Sequence, residues 1–238
     1  MNEGRTTGAP KVRRFMGFDK WMRYQYAMCQ IASEHDVIDV GGGRGDFLRT
    51  CSIDGVVLDM IEEQALFGKE RPLCQLVRYG GGIFPVKDRA VPAVLSLDCL
   101  EHVPQDQRRE FLGELMRISS DKIVMTFPVG KQHFFRLLLV IARIHSVIRK
   151  TSVAEKSLRE HAANGLPTGD DVISDFESRG WRVESERCFG YFSSMMMVLQ
   201  YIFPLMAYRP MNRVWERMLS GLDFGPPSYL YLTARRSG

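Results

Sequence analysis

An apolar run that meets alternating glycines and passes at once into a helix constrains this chain more than any other feature: Val37-Ile38-Asp39-Val40-Gly41-Gly42-Gly43-Arg44-Gly45-Asp46-Phe47-Leu48. Glycine carries no Cβ, so such a turn can adopt positive φ and lets a ligand approach the backbone. A strand that feeds a helix this way is a βα unit, and its turn lies at the carboxyl edge of a parallel sheet, where nucleotide-like ligands sit. Asp39 stands two residues before the first glycine, and Asp59 closes the next apolar run, Val56-Val57-Leu58-Asp59. Asp59 is placed to receive both hydroxyls of a ribose, because a carboxylate accepts two bonds side by side. Met60, beside it, is placed to pack on a base.

The spacing excludes a dinucleotide turn, which needs Gly-x-Gly-x-x-Gly. Counted from Gly41 the last glycine falls on Asp46, and counted from Gly43 it falls on Leu48. Asp46 also sets a carboxylate in the first helical turn, where it repels a pyrophosphate. A cationic or zwitterionic adenosine compound fits better, and S-adenosyl-L-methionine is the leading candidate. Asp39, Gly41, Gly43 and Gly45 match the acid-x-Gly-x-Gly-x-Gly motif, so the chain resembles the class I S-adenosylmethionine-dependent methyltransferases.

A second stretch narrows the resemblance. Phe84-Pro85-Val86-Lys87-Asp88 is followed by Val94-Leu95-Ser96-Leu97-Asp98-Cys99-Leu100-Glu101-His102-Val103-Pro104. The Leu-Glu-His-Val run is similar to that of the ubiquinone/menaquinone-biosynthesis type of small-molecule methyltransferase. The match covers about residues 36–128 and, more loosely, the last two strands. It implies that Asp39 orders the glycine loop and, through water, the methionine ammonium. It implies that Gly41, Gly43 and Gly45 give backbone access, and that the backbone near Leu97 meets the methionine end. Asp39 as a loop-bracing acid and Asp59 as a surface strand-end acid are the plainer alternatives. The family's acid after the third strand is missing, since Arg78-Tyr79-Gly80-Gly81-Gly82 stands there. Adenine is then left to backbone groups or to stacking on Tyr79.

Methyl transfer is an in-line displacement, so alignment and water exclusion come first. A base is needed only where the acceptor must lose a proton. His102 is the catalytic candidate; a purely bracing Glu101-His102 pair is the alternative. His133 and His161 are weaker candidates. No Asn/Asp-Pro-Pro-Tyr follows the fourth strand, which argues against an exocyclic base amine as acceptor. Oxygen or carbon of a small or lipid-linked acceptor is expected.

Hydrophobic periodicity predicts a helix over 18–33 and strands at 37–40, 56–60, 73–79, 93–97 and 122–127. Further helices are expected at 46–51, 61–66, 105–118 and 170–178, and closing strands at 181–188 and 228–234. The expected fold is α/β: a doubly wound, Rossmann-like, seven-stranded, mostly parallel sheet with an antiparallel last strand, plus apolar helical cap segments. Residues 1–35 read as a tail and helix, and 36–238 as the cofactor-binding domain with insertions at about 131–166 and 193–225. Residues 133–148 carry Arg136, Arg143 and His145, and 193–208 is broken by Pro204, so neither reads as a membrane span. Each is read as a cap over the acceptor site, as ordinary core, or as a helix lying on a membrane surface.

With 238 residues, 45% apolar and 25% charged, the chain is one ordinary globular domain in composition. A net charge of +4 without a dense basic block argues against a nucleic-acid partner. Five cysteines without a Cys-x-x-Cys pair point to buried free thiols in a reducing cytoplasm, and no metal site is visible. A nicotinamide-dependent oxidoreductase and a non-catalytic protein on the same fold are the rival readings. The sequence does not give the oligomeric state.

Overall fold

The computed structural model describes residues 16–31, 36–60, 74–129, 164–189, 211–215, 217 and 227–237. Within them lie α1 (Phe18–Ile31), β1 (Val37–Val40), α2 (Asp46–Cys51), β2 (Gly55–Asp59), β3 (Cys74–Arg78), β4 (Val91–Leu97), α3 (Arg108–Ile118), β5 (Ser119–Pro128), α4 (Gly169–Ser178), β6 (Trp181–Phe189) and β7 (Tyr229–Arg236). Single 3-10 turns at Leu100–His102 and Gln105–Gln107 link β4 to α3. The seven strands form one sheet in the order β3-β2-β1-β4-β5-β7-β6. Pairs from β3 through β5 are parallel, and β7 runs antiparallel to both β5 and β6. This is the expected sheet, with the reversed strand in the expected place.

Side chains alternate between two faces, as the pleat requires. Val37, Val57, Ala93, Leu95 and Tyr231 pack toward α1 on Phe18, Trp21 and Ile31. Ile38, Val40, Leu58, Val94 and Leu232 pack toward α3 and α4 on Leu112, Leu115 and Phe176. Both faces are covered, so the central strands are almost continuously apolar. α1 presents Phe18, Trp21, Met22 and Ile31 to the sheet, and Lys122 Nζ donates to Gln30 O at 2.7 Å near its last turn. α4 starts at Thr168, whose hydroxyl accepts from Asp171 N at 3.3 Å, and stops at Gly180 with φ 76°.

Three elements start two or more residues away from where the periodicity puts them. β5 begins at Ser119, three residues before the expected start. Ser119 Oγ donates to Lys122 O at 2.8 Å, so a residue that suits a turn is held in the strand. β4 begins at Val91, where Pro92 sits beside a register shift. The helix expected from 105 becomes a separate 3-10 turn before α3. The cysteines also differ: Cys74 is buried, Cys51 and Cys99 are half-buried, and Cys29 and Cys188 are exposed, all as free thiols. The helix expected at 61–66, His133, His161 and both apolar segments lie outside the described residues, as do most of the 131–166 and 193–225 insertions. Among the described residues no helix is long and apolar enough to cross a membrane, and none group into a metal site.

Candidate functional site

The strand order reverses between β1 and β4, so the crevice at their carboxyl ends is where this kind of sheet binds ligands. The glycine loop fills one side of it. Gly41 N donates to Leu58 O at 2.8 Å, and Gly45 N to Gly42 O at 2.9 Å. Gly41, Gly43 and Gly45 have φ of 74°, 58° and 68°, conformations that L side chains rarely adopt. Space is as tight as the torsions. A Cβ on Gly41 would stand 2.2 Å from Cys99 Sγ, and one on Gly42 would stand 2.4 Å from Asp39 Oδ2. Gly41→Ala is therefore expected to destabilise the fold by about 1–3 kcal/mol, from overpacking and left-handed strain together. Cys99 Cβ would stand 2.6 Å from the same atom, so adding Cys99→Gly, which removes both Sγ and Cβ, should restore the packing part and leave the strain; thermal melts of the single and double variants check this.

Two cavities meet at Gly41. The larger, about 800 Å³, is lined by Asp59, Met60, Tyr79, Phe84, Cys99 and His102, with Gly80 to Gly82 and the start of α3 completing its wall. The smaller, about 280 Å³, lies between α1 and the loop and is lined by Lys20, Arg23, Tyr24, Asp39, Gly43 and Leu97. Together they suit an elongated ligand with a flat end and a charged end.

The charged end is crowded. Asp39 is buried on the α1 side of β1, and its Oδ1 has no hydrogen-bond partner. Burial, and then the charge of Asp59, push its carboxyl up to about 7. A buried carboxylate with an open lone pair is an acceptor for a cation. Arg23 pairs with Asp98 and, at 3.3 Å, with Asp19, while Lys20 Nζ reaches Asp46 at 2.6 Å. Asp98 is itself left-handed at φ 58°, and its N–H donates to Thr126 O at 2.8 Å. Burial raises the Tyr24 hydroxyl above its ordinary range, with Asp46 adding to it.

At the flat end Asp59 Oδ2 accepts from Gly43 N at 2.7 Å. The acid expected to take two ribose hydroxyls thus already spends one oxygen on the glycine loop, and couples the two walls. Burial holds the Cys99 thiol protonated, and nearby Glu101 and Asp59 reinforce it. Tyr79 is raised chiefly by burial, then by Cys99 and Asp59. Glu101 is buried, and its carboxyl is raised by burial against the pull of Arg23 and Arg108. Arg108 donates to Val103 O, Asn164 O and Gly165 O at 3.1, 3.2 and 2.5 Å, tying the turn after β4 to the segment before α4.

Of the residues singled out from sequence, Asp39, Gly41, Gly43 and Leu97 line the smaller cavity, and Gly41, Asp59, Met60 and His102 line the larger. His102 is exposed at the rim of the larger cavity, and its carbonyl accepts from Asn164 Nδ2 at 3.1 Å. Gly45 lines neither cavity; it turns the chain into α2, and a Cβ there would stand 2.6 Å from Cys74 Sγ. Sequence reasoning missed Lys20 and Arg23 as site residues, although the apolar spacing of Trp21, Tyr24, Met28 and Ile31 reads as a helix packing on the sheet or over the cofactor site. The i, i+3, i+4 spacing of Lys20, Arg23 and Tyr24 on α1 was the available signal. It gave no role to Phe84, Asp98 and Cys99, although all three stand in the stretches that carry the resemblance.

No family model and no curated protein sequence matches the chain. Solved structures do. A SAM-dependent methyltransferase from Archaeoglobus fulgidus superposes with a TM-score of 0.58 at 14% identity, over 92% of this chain and 94% of that one. Haemonchus contortus phosphoethanolamine N-methyltransferase 2, in complex with S-adenosyl-L-methionine, gives 0.61 at 10% identity, over 95% of this chain and 55% of that one. The [4+2]-cyclase SpnF gives 0.57 at 12% identity, over 92% and 80%. The chain therefore has the fold of the class I S-adenosylmethionine-dependent methyltransferases.

Proposed function

We propose that the protein is an S-adenosylmethionine-dependent methyltransferase acting on an oxygen or carbon of a small or lipid-linked acceptor. One observation carries the reading: a buried carboxylate with an open lone pair, Asp39, lines one cavity and a second carboxylate, Asp59, lines another, and the two cavities share Gly41 as a wall. Their order matches a ligand with an ammonium group at one end and a ribose beyond it. The fold alone does not choose the reaction, since a cyclase shares it.

When bound, the cofactor supplies an electrophilic methyl carbon on a sulfonium. The chain's own groups do the rest. Asp39 receives the ammonium end, directly or through water, and gains the ionised state by doing so. Asp59 keeps the Gly43 N–H on one oxygen and offers the carboxylate's remaining acceptor positions to the ribose. Met60 and Tyr79 flank the base. Arg23 and Lys20 are paired with acids beside the same end, and Arg23 Nε, buried without a partner, is a donor that suits a carboxylate. His102, at the rim, is placed to take a proton from an acceptor hydroxyl or acidic carbon. The Leu100-Glu101-His102-Val103 run supports a small-molecule acceptor of the ubiquinone/menaquinone-biosynthesis type. The apolar sequence of 133–148 and 193–208 supports a lipid-linked one.

The test is ligand-induced stabilisation. S-adenosylhomocysteine at 100 times its Kd should stabilise the fold by about 2.7 kcal/mol, seen as a higher melting temperature. NAD should leave it unchanged. No shift with millimolar S-adenosylhomocysteine contradicts the reading, and a shift with NAD alone favours the oxidoreductase. The missing acid at Arg78 to Gly82 favours a second reading, a non-catalytic protein on this fold. That reading expects no transfer of labelled methyl to any acceptor, even where the cofactor binds.

A further inference from the structure

The cleft wall that faces the base is a stretch without helix or strand between β3 and β4, and Tyr79, Gly80, Gly81, Gly82 and Phe84 bring it to the larger cavity. Gly81 and Gly82 have φ of 91° and 72°, and Arg89, farther along, has 51°. No carboxylate lies between Arg78 and Gly82 to accept from a base amino group. A base held here is read by main-chain N–H and C=O groups, and these discriminate only if something fixes them.

One guanidinium anchors the far end of that stretch, at Phe84 and Val86. Arg117 of α3 donates Nη2 to Phe84 O at 3.0 Å and Nη1 to Val86 O at 2.7 Å. Nη1 also reaches Asp88 Oδ1 at 2.7 Å, and Nε and Nη2 hold the two oxygens of Glu114 at 2.8 and 2.7 Å. Glu114 Oε2 accepts in turn from Phe84 N at 2.7 Å, and Arg89 N donates to Arg117 O at 2.8 Å. Both main-chain groups of Phe84 are thus tied to one ion pair. Its ring is set edge-on against Tyr79 and Phe111, with centroids 5.2 and 5.7 Å away. Neither Arg117 nor Glu114 lines the cavity. A planar fork that grips two carbonyls and two carboxylates at once is specific to arginine; a lysine ammonium is a single point donor.

Resting on the methyltransferase reading, we propose that Arg117 is a positioning residue: it fixes the main chain that reads the base and so sets the preference of the cleft for adenine. Adenine offers an acceptor at N1 and donors on its amino group, and hypoxanthine offers the reverse. A fixed main chain favours one, because the other leaves polar groups unpaired. A loosened one adapts to either.

The experiment measures Kd for S-adenosylhomocysteine and for S-inosylhomocysteine on the full chain, for wild type, Arg117→Met and Arg117→Lys. Wild type should prefer the adenine ligand by roughly tenfold or more. Arg117→Met should bring that ratio to within about threefold, chiefly by weakening the adenine ligand, and Arg117→Lys should fall between. If Arg117→Met does not fold, the lysine variant decides. An unchanged ratio in the folded variants, or a wild type without base preference, overturns the proposal. Failure of wild type to bind S-adenosylhomocysteine at all sinks the methyltransferase reading instead, so the two failures are distinct.

Discussion

Replacing Asp59 with alanine should weaken S-adenosylhomocysteine binding by about 1.5–3 kcal/mol, the range for hydrogen bonds to a charged group. That is roughly a 10- to 150-fold rise in Kd by isothermal titration. Two effects combine. The ribose loses its acceptor, and Gly43 N–H loses the 2.7 Å bond that holds the loop at the end of β2. Asp59→Asn separates them, because it keeps an acceptor oxygen for Gly43 and removes the charge. It should fall between wild type and alanine. A further signature follows from the charge itself. Asp59 helps to hold the Asp39 carboxyl up at about 7, so either variant should move the pH dependence of binding toward acid. A loss of affinity without that movement means that the two carboxylates do not interact as described.

The second large effect is a trade between stability and binding at Asp39. Its carboxyl ordinarily titrates near 3.8 and is raised to about 7 in the fold, by burial first and Asp59 second. The folded-state value is above the unfolded one. The stability that neutral Asp39 contributes is therefore fully present below about pH 4 and is lost as pH rises through about 7. Above that, the ionised buried group costs on the order of 2–4 kcal/mol. Asp39→Asn should remove the cost and raise the melting temperature of the ligand-free protein at pH 8, with little change at pH 4.

Binding moves the other way. A cationic ammonium favours the ionised carboxylate, so association below pH 7 must expel a proton. Wild-type affinity should fall toward about tenfold per pH unit below 7 and level off above it. Asp39→Asn should flatten that profile and weaken binding roughly 10- to 100-fold at pH 8, as expected for loss of a buried charged partner. Titrations from pH 5.5 to 8.5, in two buffers of different ionisation enthalpy, read affinity and proton release together. A wild-type profile flat across pH 7 contradicts the assignment.

The fold was legible because its central strands are buried on both faces. Val37 to Val40 and Val91 to Leu97 are apolar runs for that reason, and each ends where a glycine or polar turn begins. Asp39, the glycines and Asp59 were legible because one βαβ unit brings them together. The rest of the site is assembled over distance. Arg117 grips Phe84 and Val86 from more than 30 residues away, and Arg23 crosses from α1 to Asp98 at the end of β4. No periodicity records such contacts. Ser119 and Ser120 look like a turn locally, yet Arg236 Nη2 donates to Ser119 O at 2.9 Å and Ser120 Oγ to Val91 O at 3.1 Å, and the strand absorbs them. Tertiary hydrogen bonds overrode local preference there.

The most direct measurement is a crystal structure of the protein soaked in S-adenosylhomocysteine. The account predicts ribose hydroxyls on Asp59, the base between Met60 and the Gly80 to Gly82 wall, and the amino-acid end over Asp39 and Leu97. Density elsewhere, or a crevice that stays closed to the ligand, would contradict it.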